Sequence, residues 1–214
     1  MSVEPGRITK IALVAGIIGA AGLLLVNIYA GYRKIQQAES EAIPSTRALE
    51  SLRRPGSAFA AVDQNGVGVT QESLKGKAWV ASFVFTNCQG PCPVITRRMK
   101  EIQDQVADLP DVRLVSFSVD PARDTPEVLH AYAALHGAVS GRWHFLTGEP
   151  EAQLAVVQQG FLTAVQPVEG TDQVIHGTML ALVDKSGEIR GFYDGLAVDT
   201  PKRVAHVLRV LHDE

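Results

Sequence analysis

Two hydrophobic periods run through this chain and replace one another several times after residue 57. Residues 78–85 and 112–119 are apolar almost throughout and of strand length, the pattern of strands buried on both faces of a sheet. Val94, Ile95, Met99, Ile102 and Val106 recur instead at helical spacing, which predicts a helix over 93–106 with Pro93 at its first position. Thr125-Pro126-Glu127 supplies an N-cap and a first-turn proline for a helix ending near His136. A short strand over 143–146 and a short helix over 151–159 follow. Thr200-Pro201 then opens a last helix carrying Val204, Val207, Leu208 and Leu211. Two hairpins complete the pattern: 59–62 with 67–70 around Asn65-Gly66, and 173–184 with 188–193 around Lys185-Ser186-Gly187. Strands alternating with helices, then a hairpin and a terminal helix, define an α/β layer fold.

The N-terminal part follows neither period. Residues 11–32 hold no charge and are dominated by Ile, Leu, Val, Ala and Gly. As a helix, at about 1.5 Å per residue, they would reach roughly 33 Å and cross a hydrocarbon core. A cleaved signal would have a shorter apolar region and a small-x-small site, whereas a cut after Ala30 would place Ile28 at position −3. A retained single-pass anchor over 1–34 is therefore expected, then a polar stalk over 35–56 and one folded domain over 57–214. Arg7 and Lys10 face Arg33 and Lys34 across the span, so loop charge alone does not orient it.

The composition is ordinary for a globular domain, with 46% hydrophobic residues, 20% charged residues and a formal net charge of −3. That leaves no basic footprint for nucleic acid. There are only 2 cysteines, too few for a disulfide scaffold, so the core has to come from apolar burial. Both lie in Thr86-Asn-Cys88-Gln-Gly-Pro-Cys92-Pro93, where a buried-type strand gives way to a helix. Thiolates so placed can close a structural disulfide, serve a dithiol oxidoreductase, or bind a soft metal. A helix N-terminus there is expected to lower the thiol pKa values. Gly90-Pro91 is expected to keep the cysteines in a loop rather than as a helical pair.

A second segment narrows the choice. Ser118-Val-Asp120-Pro-Ala-Arg123-Asp124-Thr125-Pro126-Glu127, together with the cysteine segment and the late His176, resembles the Sco/SenC family over roughly residues 57–212. The resemblance implies a thioredoxin-like fold behind a membrane anchor, copper bound by Cys88, Cys92 and His176, and a role in assembling the copper centre of cytochrome c oxidase. It implies a domain in the periplasm of a bacterial inner membrane. Expected partners are the oxidase's copper-bearing subunit, other periplasmic copper chaperones and thiol reductants. Relatives usually carry an acid immediately before the histidine, where this chain has Ile175. Thioredoxin-type oxidoreductases place a cis-proline opposite the cysteines, where this chain reads Ile175-His176-Gly177-Thr178.

Two sulfurs and one imidazole suit both oxidation states of copper, since soft thiolate favours Cu(I) and imidazole accepts either. A closed zinc site would need a fourth ligand, and none is identifiable from the sequence. A thiol–disulfide reductase acting on oxidase cysteines, and a redox or copper sensor, are the alternative roles. His130, His136, His206 and His212 fall in predicted helices and are expected to be solvated, while His144 beside Trp143 is expected to be structural. Met99 is expected in the core, and Met179, three residues past His176, is a soft auxiliary ligand or, in preference, a packed side chain. Asp120, Arg123 and Asp124 fit either a partner-facing role or stabilisation of their own loop.

Overall fold

The computed structural model describes residues 54–56 and 58–214. The expected anchor and most of the expected stalk lie outside the described residues. Among the described residues no helix is long and apolar enough to cross a membrane.

The centre of the molecule is a mixed sheet of eight strands: β1 (Arg54–Pro55), β2 (Ala60–Asp63), β3 (Gly68–Thr70), β4 (Trp79–Val84), β5 (Arg113–Ser118), β6 (Trp143–Thr147), β9 (Met179–Val183) and β10 (Glu188–Asp194). Their order across the sheet is β1-β10-β9-β4-β5-β6-β2-β3. The strands β4, β5 and β6 run parallel, and β9 returns antiparallel against β4. Every residue of β4 is buried, as its unbroken apolar run predicts. Its one hydroxyl is accommodated by register. Ser82 lies opposite Ser116, the two oxygens are 2.7 Å apart, and Trp143 Nε1 donates to Ser116 Oγ at 2.9 Å. A small polar ladder is thus closed inside the apolar sheet, with each group paired.

Among the described residues four α-helices flank the sheet: α1 (Cys92–Gln105), α2 (Pro126–Leu135), α3 (Pro150–Ala155) and α4 (Thr200–Asp213). The helices α1 and α4 pack on each other, and α2 packs on β6. Met99, Ile102 and Ile95 form the buried side of α1, and Val204, Val207, Leu208 and Leu211 that of α4, as the helical spacing predicts. Thr125 caps α2 by accepting the Val128 N–H. In the first hairpin Gly66 sits at φ 74°, a left-handed conformation that favours glycine, and Asp63 closes the turn through Asn65 N–H and Val67 N–H.

Three features depart from the sequence pattern. Arg54 and Pro55, inside the segment expected to be stalk, pair with β10. The short helix α3 passes into a π-turn over Val156–Gly160. The strand expected over 173–184 is broken. Its first part, β8 (Val174–His176), leaves the main sheet and pairs with β7 (Val165–Pro167) in a separate two-stranded ribbon. The break falls at Gly177-Thr178, where Gly177 N–H bonds Ala164 O and Thr178 O accepts from Gly195 N–H. These two bonds hand the chain from the ribbon to β9, and the break carries His176 away from the sheet.

A cysteine and histidine cluster at the β4 to α1 junction

The chain leaves β4 through Phe85 and turns at once, with Cys88 N–H bonded to Phe85 O. Gly90 N–H points back to Cys88 Sγ at 3.4 Å. Pro91 has the N-cap position of α1, so Cys92 is its first residue and Pro93 its second, one place later than the spacing predicts. Proline at either place loses no helical hydrogen bond, because the first turn has no acceptor for its N–H groups. Cys88 is half-buried and Cys92 fully buried, and both are free thiols.

His176, at the end of β8, faces this junction from the ribbon. Its Nε2 lies 3.2 Å from Cys92 Sγ, and its Nδ1 lies 2.9 Å from Gly177 O. A carbonyl can only accept, so the proton belongs on Nδ1 and the Nε2 lone pair is directed at the sulfur. Phe85 presses edge-to-face on the imidazole at 5.9 Å, fixing the ring plane. The ligand atoms of Cys88, Cys92 and His176 all lie within 4.8 Å of one another. The side chain usually expected before the histidine is replaced by Ile175, which is 64% exposed. The backbone of Gly177, rather than a side-chain acid, therefore sets the imidazole tautomer in this chain.

The electrostatics of the junction correct one expectation. Burial pushes the Cys92 thiol far above its ordinary range, and its hydrogen bond with Cys88 adds to the rise. The helix N-terminus does not lower it, because loss of solvation outweighs the partial charge of the first turn. Burial also lowers His176, against a smaller opposing effect of its bond to Gly177, which keeps the imidazole neutral.

Gln173 completes this surrounding without any signal in the sequence pattern, while Asp120, Arg123 and Asp124 take the loop-stabilising of their two expected roles. Gln173, just before β8, donates from Nε2 to Asn87 O at 3.2 Å and accepts at Oε1 from Gln89 N–H at 3.4 Å. Asp124 is fully buried and accepts from Thr86 Oγ1 at 2.6 Å, Thr86 N–H at 3.2 Å and Ser118 Oγ at 2.6 Å. Arg123 joins Asp120 at 2.9 Å and Asp172 at 2.6 Å. The acidic loop therefore stabilises its own surroundings and holds Thr86 at the start of the cysteine loop. Of the remaining histidines, His144 bonds buried Asp63 at 3.1 Å, a structural role, while His130 and His206 are exposed on helices and His136 and His212 are partly so. Met99 is buried in the core, whereas Met179, expected to be packed, is 39% exposed at the start of β9.

A parallel β4-β5-β6 core, an antiparallel return strand and a cysteine pair opening the helix after β4 define a thioredoxin-like domain, and the histidine beside the sulfurs sets it apart as a metal-binding type. Residues 48–212 match the SCO1/SenC family model, and the chain belongs to that family. A SCO1/SenC family lipoprotein from Bacillus anthracis superposes with a TM-score of 0.69 at 35% identity, over 73% of this chain and 94% of that one. BsSco, a member of the Sco family of cytochrome c oxidase assembly proteins in which a disulfide switch has been identified, gives a TM-score of 0.68 at 34% identity, over 76% and 95%. Bradyrhizobium japonicum ScoI with copper bound gives 0.64 at 26% identity, over 74% and 99%.

Proposed function

We propose that this chain is a copper chaperone which holds one copper ion through Cys88, Cys92 and His176 and passes it by ligand exchange to the copper-bearing subunit of a cytochrome c oxidase. The observation that carries the reading is the convergence of two sulfurs and one imidazole nitrogen within 4.8 Å, with the imidazole already presenting Nε2. Copper is here a cargo. Two thiolates in one loop favour Cu(I), and the imidazole from the ribbon extends the set to Cu(II). Because the Cys92 thiol is protonated in the metal-free chain, copper uptake releases that proton. Ligands drawn from two separate elements let a recipient replace them one at a time, which suits release.

The same reading gives the rest of the chain its role. Residues 1–34 anchor the protein in a bacterial inner membrane, 35–56 form a linker whose end, Arg54–Pro55, is paired onto the sheet, and 57–214 form the copper domain on the periplasmic side, where copper chaperones and thiol reductants act on it. The apolar run over 11–32 supports the anchor. A second reading, a thiol–disulfide reductase of oxidase cysteines, is favoured by the half-exposed Cys88 over a buried Cys92. That pairing offers one accessible sulfur and one to resolve the mixed disulfide.

Anaerobic titration of the reduced full-length chain with Cu(I) tests the proposal. One ion bound per chain is expected, with binding lost in the Cys88→Ser, Cys92→Ser double variant and transfer to the oxidase copper subunit on mixing. Unchanged affinity in the double variant would overturn the ligand assignment. Thiol exchange with the oxidase subunit without copper transfer would favour the reductase.

A further inference from the structure

The two elements that bring the candidate ligands together are weakly attached to one another. The ribbon of β7 and β8 pairs with itself and not with the main sheet. An isolated two-stranded ribbon is marginal by itself, so its position depends on what ties it down. Among the described residues, Gln173 and His176 are the ribbon-side residues that hydrogen-bond the cysteine segment. The His176 contact is to Cys92 Sγ, and copper bound to both atoms would replace it. Once a metal is bound, Gln173 remains as the hydrogen-bonded link that the protein itself supplies between ribbon and loop, beside the apolar packing of Phe85 on His176.

The geometry of that link is specific. The carboxamide spans the two residues on either side of Cys88, donating to Asn87 O at 3.2 Å and accepting from Gln89 N–H at 3.4 Å. One partner is a pure acceptor and the other a pure donor, so the orientation of the amide is chemically forced. Glutamate at this position lacks the donor, and asparagine is one methylene shorter. His176 follows three residues later, about 10 Å along a strand. The neighbouring Arg123–Asp172 ion pair reaches the ribbon as well, but both side chains are at least half exposed and the pair holds the 120–124 loop, not the cysteine loop. Solvent and salt weaken such a pair.

We propose that Gln173 is a positioning residue of the copper site: its carboxamide holds the cysteine loop against the His176 ribbon and so stabilises selectively the copper state that needs ligands from both elements. The inference rests on the copper reading above. Cu(I) is satisfied by Cys88 and Cys92 within one loop, so the clamp contributes little to it. Cu(II) requires the imidazole across the gap, so the clamp contributes to every Cu(II)-bound chain.

The test compares the full-length chain with its Gln173→Ala and Gln173→Glu variants. The two bonds are solvent-exposed, so each falls at the low end of the net range, about threefold in an equilibrium, and the pair together amounts to about tenfold. Loss of the clamp is therefore expected to weaken Cu(II) about tenfold, to shift the thiolate-to-Cu(II) charge-transfer band, and to change Cu(I) affinity less than about threefold. In the copper-free chain the Gln89 amide should exchange with solvent about threefold faster in Gln173→Ala and by less in Gln173→Glu, whose carboxylate still accepts from it, while amides in β4 and β5 keep their protection. That local signature separates a lost clamp from general destabilisation. Parental Cu(II) affinity, spectrum and Gln89 exchange in Gln173→Ala would overturn the inference while leaving the copper reading intact. Equal losses of Cu(I) and Cu(II) would overturn it too, because the clamp would then not act across the gap. A parent chain that binds no copper in either state would sink both readings.

Discussion

His176 Nε2 stands 3.2 Å from the Cys92 sulfur, with its other nitrogen committed to the Gly177 carbonyl. The ring reaches the cysteine segment from an element outside the main sheet, so it can be removed without touching the fold's centre. His176→Ala should therefore leave the domain folded and the cysteines able to form a disulfide. It should weaken Cu(II) by more than the roughly 10–100-fold that follows losing an outer partner of a ligand, and weaken Cu(I) only modestly. Metal titration in both oxidation states checks this. Cu(II) held as tightly as by the parent would remove His176 from the ligand set.

The two thiols are free, and their sulfurs lie within 4.8 Å of each other. Gly90-Pro91 leaves the intervening segment as a loop, so the sulfurs can close the remaining distance without unwinding a helical turn. Mild oxidation of the copper-free chain should form the Cys88–Cys92 disulfide and abolish Cu(I) uptake until a reductant restores it, because thiolate and not disulfide is the ligand. Mass spectrometry after thiol blocking, paired with a Cu(I) titration, reads both halves. Uptake by the fully oxidised chain would contradict the ligand chemistry.

The parts of this architecture that were legible in the sequence are those whose physics is local. The run over 78–85 reads as a central strand because burial on both faces leaves no polar alternation, and β4 is buried throughout. Cys88 and Cys92 read as a site because soft ligands were paired at a strand-to-helix turn. His176 needed the family resemblance, since one histidine in an apolar stretch carries no signal of its own. The strand break at Gly177-Thr178 was hidden, because 173–184 continues a strand-like composition through it and only tertiary pairing divides it. The short, proline-containing β7 was hidden for the same reason. The expected lowering of the Cys92 thiol failed because a helix N-terminus is visible in sequence and complete burial is not. Gln173 and the buried state of Asp124 were equally invisible, as both act across more than 35 residues of chain.

Asp124 anchors the start of the cysteine loop. Its carboxylate takes hydrogen bonds from Thr86 and Ser118, and burial raises its pKa against those bonds. Asp124→Ala leaves the buried Ser118 hydroxyl and the half-buried Thr86 hydroxyl and N–H without their acceptor, at about 1–3 kcal/mol for each group left unsatisfied. Allowing for relaxation, a loss of about 3 kcal/mol is expected in denaturant unfolding, with faster copper release as the loop loosens. Asp124→Asn retains part of the network and should fall between the two. A stability within about 0.5 kcal/mol of the parent in Asp124→Ala would show that the network contributes no net stabilisation.

Arg190 is fully buried and pairs with Asp184 at 3.0 Å and Glu214 at 2.8 Å. Burial alone would raise the pKa of Asp184, but hydrogen bonds from Ser186, the Glu188 N–H and Arg190 outweigh it and hold the carboxyl below its ordinary value. With the folded pKa depressed, the folded state binds fewer protons than the unfolded state on the acid side. The contribution of Asp184 is therefore complete above the unfolded value of about 3.9 and is lost as pH falls through the folded value. Asp184→Asn should cost about 2 kcal/mol at pH 7, less than the 3–5 kcal/mol typical of a fully orphaned buried charge, because Glu214 still faces Arg190. The difference between parent and variant should shrink steadily below about pH 4. Urea unfolding of both proteins across pH 2–7 measures it, and a gap that stayed constant or widened in acid would show that the Asp184 carboxylate is not the stabilising form.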